Sequence, residues 1–449
     1  MASVSLPATL VGDGLRVPCT DGTERPYLSF DAAASTSALP QAMEAVEAFT
    51  PWYAGVQHGA GYKSQASALA YQSAHLAGLA FAGRGGDSGD VAVICRNATE
   101  AVNHLAYRLR LGRGDVVVTT VAEHYSNLLP WARAAACRFV ECGRDGTFAP
   151  EDVAAALDQQ PMPRLLAITG ASHVTGWLPP LPEIIAAAHH RGIPVFVDAA
   201  QLAPHRPLPP EADFLAWSGH KMYAPFGAGV LVGPRRAFLA GDPFLAGGGS
   251  AAMLDLDEVA WLDPPEREEA GSPNVIGAVA LRAAIGALEE VGWPAIASHD
   301  RRIAWSLRRG LAAIPGVRLL GPDLDAETLP VATFSVAGVP AAVVAARLAA
   351  EEAIGVGHGS FHAYPFVARL LGLSPAGARA SANRARHDGG EMPGAVRASA
   401  GINTSEQDVA RLLAAVARLV DSEPPVRYLR DPSTGDFYPT TSRARAGSR

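Results

Sequence analysis

Thiols are scarce in this chain and confined to its first third: Cys19, Cys95, Cys137 and Cys142 are all it has. They show no paired metal-ligand spacing and no disulfide framework, so zinc-ribbon and disulfide-stapled folds are set aside and a reducing, cytoplasmic setting is expected. Long apolar runs are missing too. No stretch reaches the roughly 18 apolar residues of a membrane span, because Arg, Glu, His or Pro interrupts each Ala-rich segment. Met1-Ala2-Ser3 opens without the basic and apolar regions of a secretory leader, so a soluble protein is expected. Basic excess is the third absence. Lys and Arg number 37 against 44 Asp and Glu, a net charge of −7, which argues against nucleic acid as a main partner.

What is present is material for a large core: 449 residues, 49% hydrophobic and 18% charged, more than one core usually holds. Apolar runs at 91–95, 115–120, 165–169, 193–197 and 213–217 read as buried strands, and helical patterns lie between them. Residues 40–50, 181–191 and 275–290 are helix candidates. This alternation predicts an α/β fold around a right-handed, mostly parallel sheet. Further on, 331–336 has the pattern of a half-buried strand and 340–351 that of a helix packed on it.

The strand run 193–197 ends at Asp198, and the run 213–217 ends at Ser218-Gly219-His220-Lys221. Carboxyl ends of such strands are where open α/β sheets bind ligands. A carboxylate and an amine on that edge suit pyridoxal phosphate (PLP). Lysine forms a Schiff base with the aldehyde, and the carboxylate keeps the pyridine nitrogen protonated, so that the ring accepts electrons. Taken singly, each residue has an ordinary structural reading, a turn-capping Asp and a surface Lys. Together with Ala199-Ala200-Gln201 and the Gly-rich turn after Lys221, they carry more.

The pattern Asp198-x-Ala200-Gln201, then Ser218-x-His220-Lys221, resembles the class V aminotransferase and cysteine desulfurase family. The resemblance implies a PLP-dependent fold of type I: a large domain with a seven-stranded type of sheet, and a small α+β domain toward the C-terminus. On this chain that means an N-terminal segment at 1–26, a large domain at 27–292, a small domain at 293–422 and a loosely ordered tail at 423–449. It implies that Lys221 is the Schiff-base lysine, that Asp198 pairs with the pyridinium and that Gln201 bonds the ring hydroxyl. Ser218 and His220 would hold the phosphate, as would Ala98 and Thr99, which open a helix whose unpaired N–H groups favour anions. Glu123-His124-Tyr125-Ser126-Asn127-Leu128-Leu129-Pro130-Trp131 resembles the family's EHxSNxxPW, in which the histidine stacks on the ring. That assigns stacking to His124 and loop support to Asn127. Relatives carry asparagine where this chain has His173, a bulkier group that can still donate to the ring oxygen. Ser272, in Glu269-Ala270-Gly271-Ser272-Pro273-Asn274, matches a hydroxyl that reaches the partner's phosphate in a homodimer with composite sites. Asp31 to Ser35, with Ala33 at its centre, resembles the small-residue segment lining the substrate pocket. His58 sits in a segment like the family's mobile one, where exposure or capping is the ordinary role of a histidine. Arg397 matches the arginine that clamps the substrate α-carboxylate, a task suited to a planar fork.

One departure bears on chemistry. Desulfurases of the family carry a cysteine on the loop matching Gly357-His358-Gly359-Ser360-Phe361-His362-Ala363-Tyr364-Pro365; here Ser360 and His362 stand at the cysteine positions. Neither replaces a polarisable thiolate, although His358 and His362 remain candidates for substrate contact. The sequence therefore favours aminotransferase-type chemistry on an α-amino acid in specialised metabolism. A C–S lyase that forms no persulfide is the alternative; racemisation, decarboxylation and a non-catalytic PLP-binding role rank lower. His387 to Gly390 reads as a surface loop.

Overall fold

The computed structural model describes residues 5–56, 59–85, 88–255, 257–388 and 392–440. Its centre is a seven-stranded sheet in the order Asp90–Cys95, Gly229–Pro234, Phe214–Ser218, Val195–Asp198, Leu165–Thr169, Val116–Thr120, Ala136–Val140. Gly229–Pro234 runs antiparallel to both of its neighbours, and the pairs beyond it are parallel. The mostly parallel sheet expected from the strand–helix alternation is therefore present. The buried strands read as continuous Val, Leu, Ile and Phe runs because helices cover both faces: Leu165–Thr169 and Phe214–Ser218 are buried at every position. Among the covering helices are Ala98–Arg108, Pro150–Leu157, Leu181–His189 and Val275–Val291.

A second sheet of five strands, in the order Val317–Leu320, Val331–Val336, Ala395–Ser399, Ile354–Gly359, Leu28–Phe30, packs under the helices Trp293–Ala312, Ala341–Glu352 and Glu406–Asp421. Leu28–Phe30, assigned to the large domain on sequence order, pairs here with Ile354–Gly359 in parallel, so the two sheets do not divide the chain at residue 27. The physical reason is burial: Phe30, fully buried, joins the core of this second sheet. A buried ionic group joins the two parts. Asp300, on the helix Trp293–Ala312, accepts from Arg206 Nη1 at 2.8 Å and lies 3.1 Å from His205 Nδ1.

The described parts of the N-terminal segment and of the tail are more ordered than the sequence suggests. Arg16–Pro18 and Glu24–Pro26 form a hairpin within the N-terminal segment. The tail expected to be loose from residue 423 forms an antiparallel hairpin, Tyr428–Arg430 with Phe437–Pro439. Its Pro-, Ser- and Arg-rich composition hid this. The hairpin is held from outside: Tyr428 Oη donates to Glu351 at 2.9 Å, and Asp436 pairs with His358 at 3.1 Å. The helix Pro375–Asp388 likewise takes up the first two residues of the loop predicted at His387, while Gly389, Gly390 and His58 lie outside the described residues. No helix among the described residues is long and apolar enough to cross a membrane.

Candidate active site

The parallel strands end on one edge of the large sheet, and a cavity of about 710 Å³ opens there, walled on its far side by Ile354–Gly359 and Ala395–Ser399. Of the residues singled out in the sequence, Ala33, Ala98, Thr99, His124, His173, Asp198, Gln201, Ser218, His220, Lys221, His358, His362 and Arg397 all line it. Ser272 does not; it is exposed on the turn before Val275–Val291. No cysteine lines the cavity.

Each wall has a local cause. Asn97 caps the helix Ala98–Arg108 by accepting from Glu100 N at 3.0 Å, and Ala98 N donates to Ser218 Oγ at 2.8 Å, which ties the helix start to the end of the strand that precedes Lys221. Gly229 permits this approach, since a Cβ there would lie 2.7 Å from Asn97 Cα. The EHxSNxxPW segment is held by a chain of hydrogen bonds. Asn127 Nδ2 donates to Glu123 Oε2 at 2.7 Å, and Trp131 Nε1 donates to Asn127 Oδ1 at 2.8 Å. Glu123 also accepts from Thr120 Oγ1 and Thr169 N. Burial without a cationic partner pushes the Glu123 carboxyl up to about 8.

Burial dominates the electrostatics. It lowers the Lys221 amine to about 8, with Arg397 adding to the fall and Asp198 opposing it. It raises Asp198, against the Ala200 N–H, which donates to its Oδ1 at 3.0 Å, and against Lys221. Burial and Lys221 together bring His124 to about 3 and His220 to about 4, so both imidazoles stay neutral. His124 sits edge-on to two further imidazoles, with ring centres 5.0 Å from His173 and 5.4 Å from His362.

Two contacts revise the sequence picture. His173 Nε2 bonds the Phe361 carbonyl at 2.9 Å, so this imidazole is occupied in holding the 359–362 loop. Arg397 donates from Nη1 to His173 O at 3.0 Å and from Nη2 to Asp31 Oδ1 at 2.9 Å, and it lies over the Phe361 ring at 4.7 Å. Sequence reasoning missed Asp31 as a site residue. It had read that stretch for small side chains alone, and its partner is 366 positions away.

The family model for "Aminotransferase class-V" matches residues 28–412. The chain belongs to this family. A probable cysteine desulfurase of Mycobacterium leprae is 30% identical over 418 residues, covering 89% of this chain and 93% of that protein. A probable cysteine desulfurase of Synechocystis is 37% identical over 265 residues, 56% of this chain and 63% of that protein. Among solved structures, the apo cysteine desulfurase of Thermococcus onnurineus superposes with a TM-score of 0.79 at 29% identity, covering 94% of this chain and all of that one.

As a class V member the protein is a PLP-dependent enzyme of the type I fold. The residues present fit the cofactor. Among the described residues Gln201 Oε1 is buried with no partner, which leaves a polar atom for a ligand to satisfy. Beside it, Lys221 and Asp198 line the same cavity, an amine with lowered basicity next to a carboxylate.

Proposed function

We propose that this enzyme cleaves the Cβ–S bond of an S-substituted cysteine and releases the sulfur with its substituent as a thiol, without a protein persulfide. The observation that carries it is the 357–365 loop. It projects Ser360, Phe361 and His362 into the cavity of a chain whose relatives are named cysteine desulfurases, and the four thiols lie elsewhere. A bound PLP supplies an aldehyde for Lys221 and an electron-accepting ring. Lys221 would hold it, Asp198 would keep its ring nitrogen protonated, Gln201 would bond its hydroxyl and His124 would pack on the ring. Ala98, Thr99, Ser218 and His220 would hold the phosphate. Ser272, exposed and outside its own cavity, serves the site of a second copy in a homodimer.

Arg397 orients the substrate through its α-carboxylate, and the desolvated Lys221 amine takes the proton from Cα. The Cβ–S bond then breaks with its electron pair on sulfur, which leaves as a thiol after gaining a proton, and water releases the remainder as pyruvate and ammonia. Transamination is a second reading. The family description and an amine able to take and return a proton both favour it. Incubation of the holoenzyme with S-methylcysteine separates them. Pyruvate and methanethiol in equal amounts, with the cofactor unchanged, support the lyase; a sulfur-bearing keto acid supports transamination, and a sulfur adduct on 355–365 overturns the absence of persulfide.

A further inference from the structure

Nearly every titratable side chain that lines the active-site cavity is already engaged. Asp31 and Arg397 bond at 2.9 Å, His173 Nε2 bonds Phe361 O, and His358 Nε2 meets Asp436 at 3.1 Å. His220 Nδ1 lies 3.3 Å from Ser35 Oγ. His124 Nδ1 accepts from Ser126 N at 3.1 Å, and burial beside Lys221 brings this ring to about 3, so it carries no second proton to give. Asp198 and Lys221 have the tasks described above. His362 is what remains. Its backbone is fixed, since its carbonyl accepts from Tyr125 N at 2.9 Å and the carbonyl before it accepts from His173 Nε2. Among the described residues, however, no hydrogen bond reaches either nitrogen of its ring. Phe361 and His362 take left-handed backbone, at φ 51° and 55°, which side-chain-bearing residues hold only where their surroundings impose it. The outcome is an imidazole that is exposed to solvent and also lines the cavity.

We infer that His362 is the general acid that protonates the sulfur as the Cβ–S bond breaks. This rests on the lyase reading above. Its place follows from how the amino acid is held. The α-carboxylate goes to Arg397, which lies over the Phe361 ring at 4.7 Å, and the amino group goes to the cofactor at Lys221, with His124 on the ring face. His362 follows Phe361 in the chain, and its ring centre is 5.4 Å from that of His124. It therefore borders both the carboxylate end and the ring face, and the third substituent of Cα, the sulfur-bearing side chain, extends toward it. Imidazole suits the task, because it gives and regains a proton near neutral pH. The step balances. The Cβ–S electron pair passes to sulfur, sulfur takes the proton of the imidazolium, and the ring is left neutral. Its exposure then lets water return a proton before the next turnover.

The test gives the holoenzyme two substrates that differ in whether the leaving group needs a proton. S-methylcysteine expels a strongly basic thiolate, whereas β-chloroalanine expels chloride; pyruvate is the readout for both. The variants are His362→Asn and His362→Gly, since both residues accept left-handed backbone. Each loses about 100-fold in kcat/KM on S-methylcysteine, the lower end of what a positioned acid contributes, and less than about threefold on β-chloroalanine. A defect of folding or of cofactor binding lowers both together. Equal losses on the two substrates in both variants, or no loss on either, overturn the inference; in the second case the proton comes from another donor, such as Lys221. The lyase reading fails in a different way. Unmodified enzyme that forms pyruvate from β-chloroalanine but none from S-methylcysteine refutes that reading and the acid role with it. Pyruvate and methanethiol from S-methylcysteine, with equal losses in the variants, refute the acid role alone.

Discussion

Asp198→Asn is the most informative single change, because the structure states in which direction it moves Lys221. In the folded chain, burial is the main cause of the amine's fall from 10.5 to about 8; Arg397 adds to it, and Asp198 pulls the other way. Removing the Asp198 charge takes away the larger of the two influences that raise the amine and leaves the smaller one, from Asp31. Across a cavity, over roughly 6–12 Å at an effective dielectric of about 20, one unit charge is worth about 1.4–2.8 kcal/mol, which is one to two pKa units. The Lys221 amine of the apoprotein therefore titrates near 8 in the parent and about one to two units lower in the variant. The measurement is direct, since Lys63 and Lys221 are the only lysines in the chain. Apoprotein carrying 13C-lysine gives two side-chain resonances, and Lys63→Arg assigns them. A parent midpoint close to 10.5, or a midpoint that rises in Asp198→Asn, refutes the argument. The linkage has a sign as well. The unfolded chain holds a proton on this lysine that the folded chain has released, so this group makes apoprotein stability rise as pH climbs from about 8 toward 10.5.

Arg397→Ala weakens binding of an α-methyl amino acid by about 2–5 kcal/mol, since it removes one partner of a buried charged contact; unchanged affinity in titration calorimetry contradicts the carboxylate role. Asp300→Asn costs about 3–5 kcal/mol in urea unfolding, because it leaves the cations around Asp300 without their counter-charge. Burial alone would raise this carboxyl, but His205, His299 and Arg206 hold it below the usual carboxylate range. The stability it contributes is therefore present above the unfolded pKa near 3.8 and lost as pH falls below it, and a variant as acid-stable as the parent would show the group to be inert. Mixing Lys221→Ala with Ser272→Ala subunits tests the composite dimer. A Lys221→Ala chain has no working site but keeps its serine, so mixed dimers show higher PLP affinity per working site than Ser272→Ala alone, and identical affinity rules the crossing out.

The sheet strands and the main chemistry were legible because both are written locally. An apolar run that stops at a polar residue marks a buried strand and its functional edge at once, as at Asp198 and Ser218. The EHxSNxxPW segment was readable for the same reason: Glu123, Asn127 and Trp131 bond one another within nine residues of chain. The C-terminal hairpin was not. Its few apolar residues carry no clear period, and what orders it lies far back in the chain, at Glu351 and His358.

By itself the sequence determined the fold class, the family, the cofactor and the absence of a thiol beyond Cys142, since each is a statement about residue types at short spacing. Tertiary structure alone decided that Leu28–Phe30 joins the second sheet, that Asp31 meets Arg397, that His173 holds the loop at Phe361, and that His362 sits beside His124. All four join positions separated by about two hundred residues or more, or elements brought together only by packing. Local periodicity holds no record of such pairs; the burial of Phe30 and the pairing of charges in a low-dielectric cavity select them when the sheets close on each other.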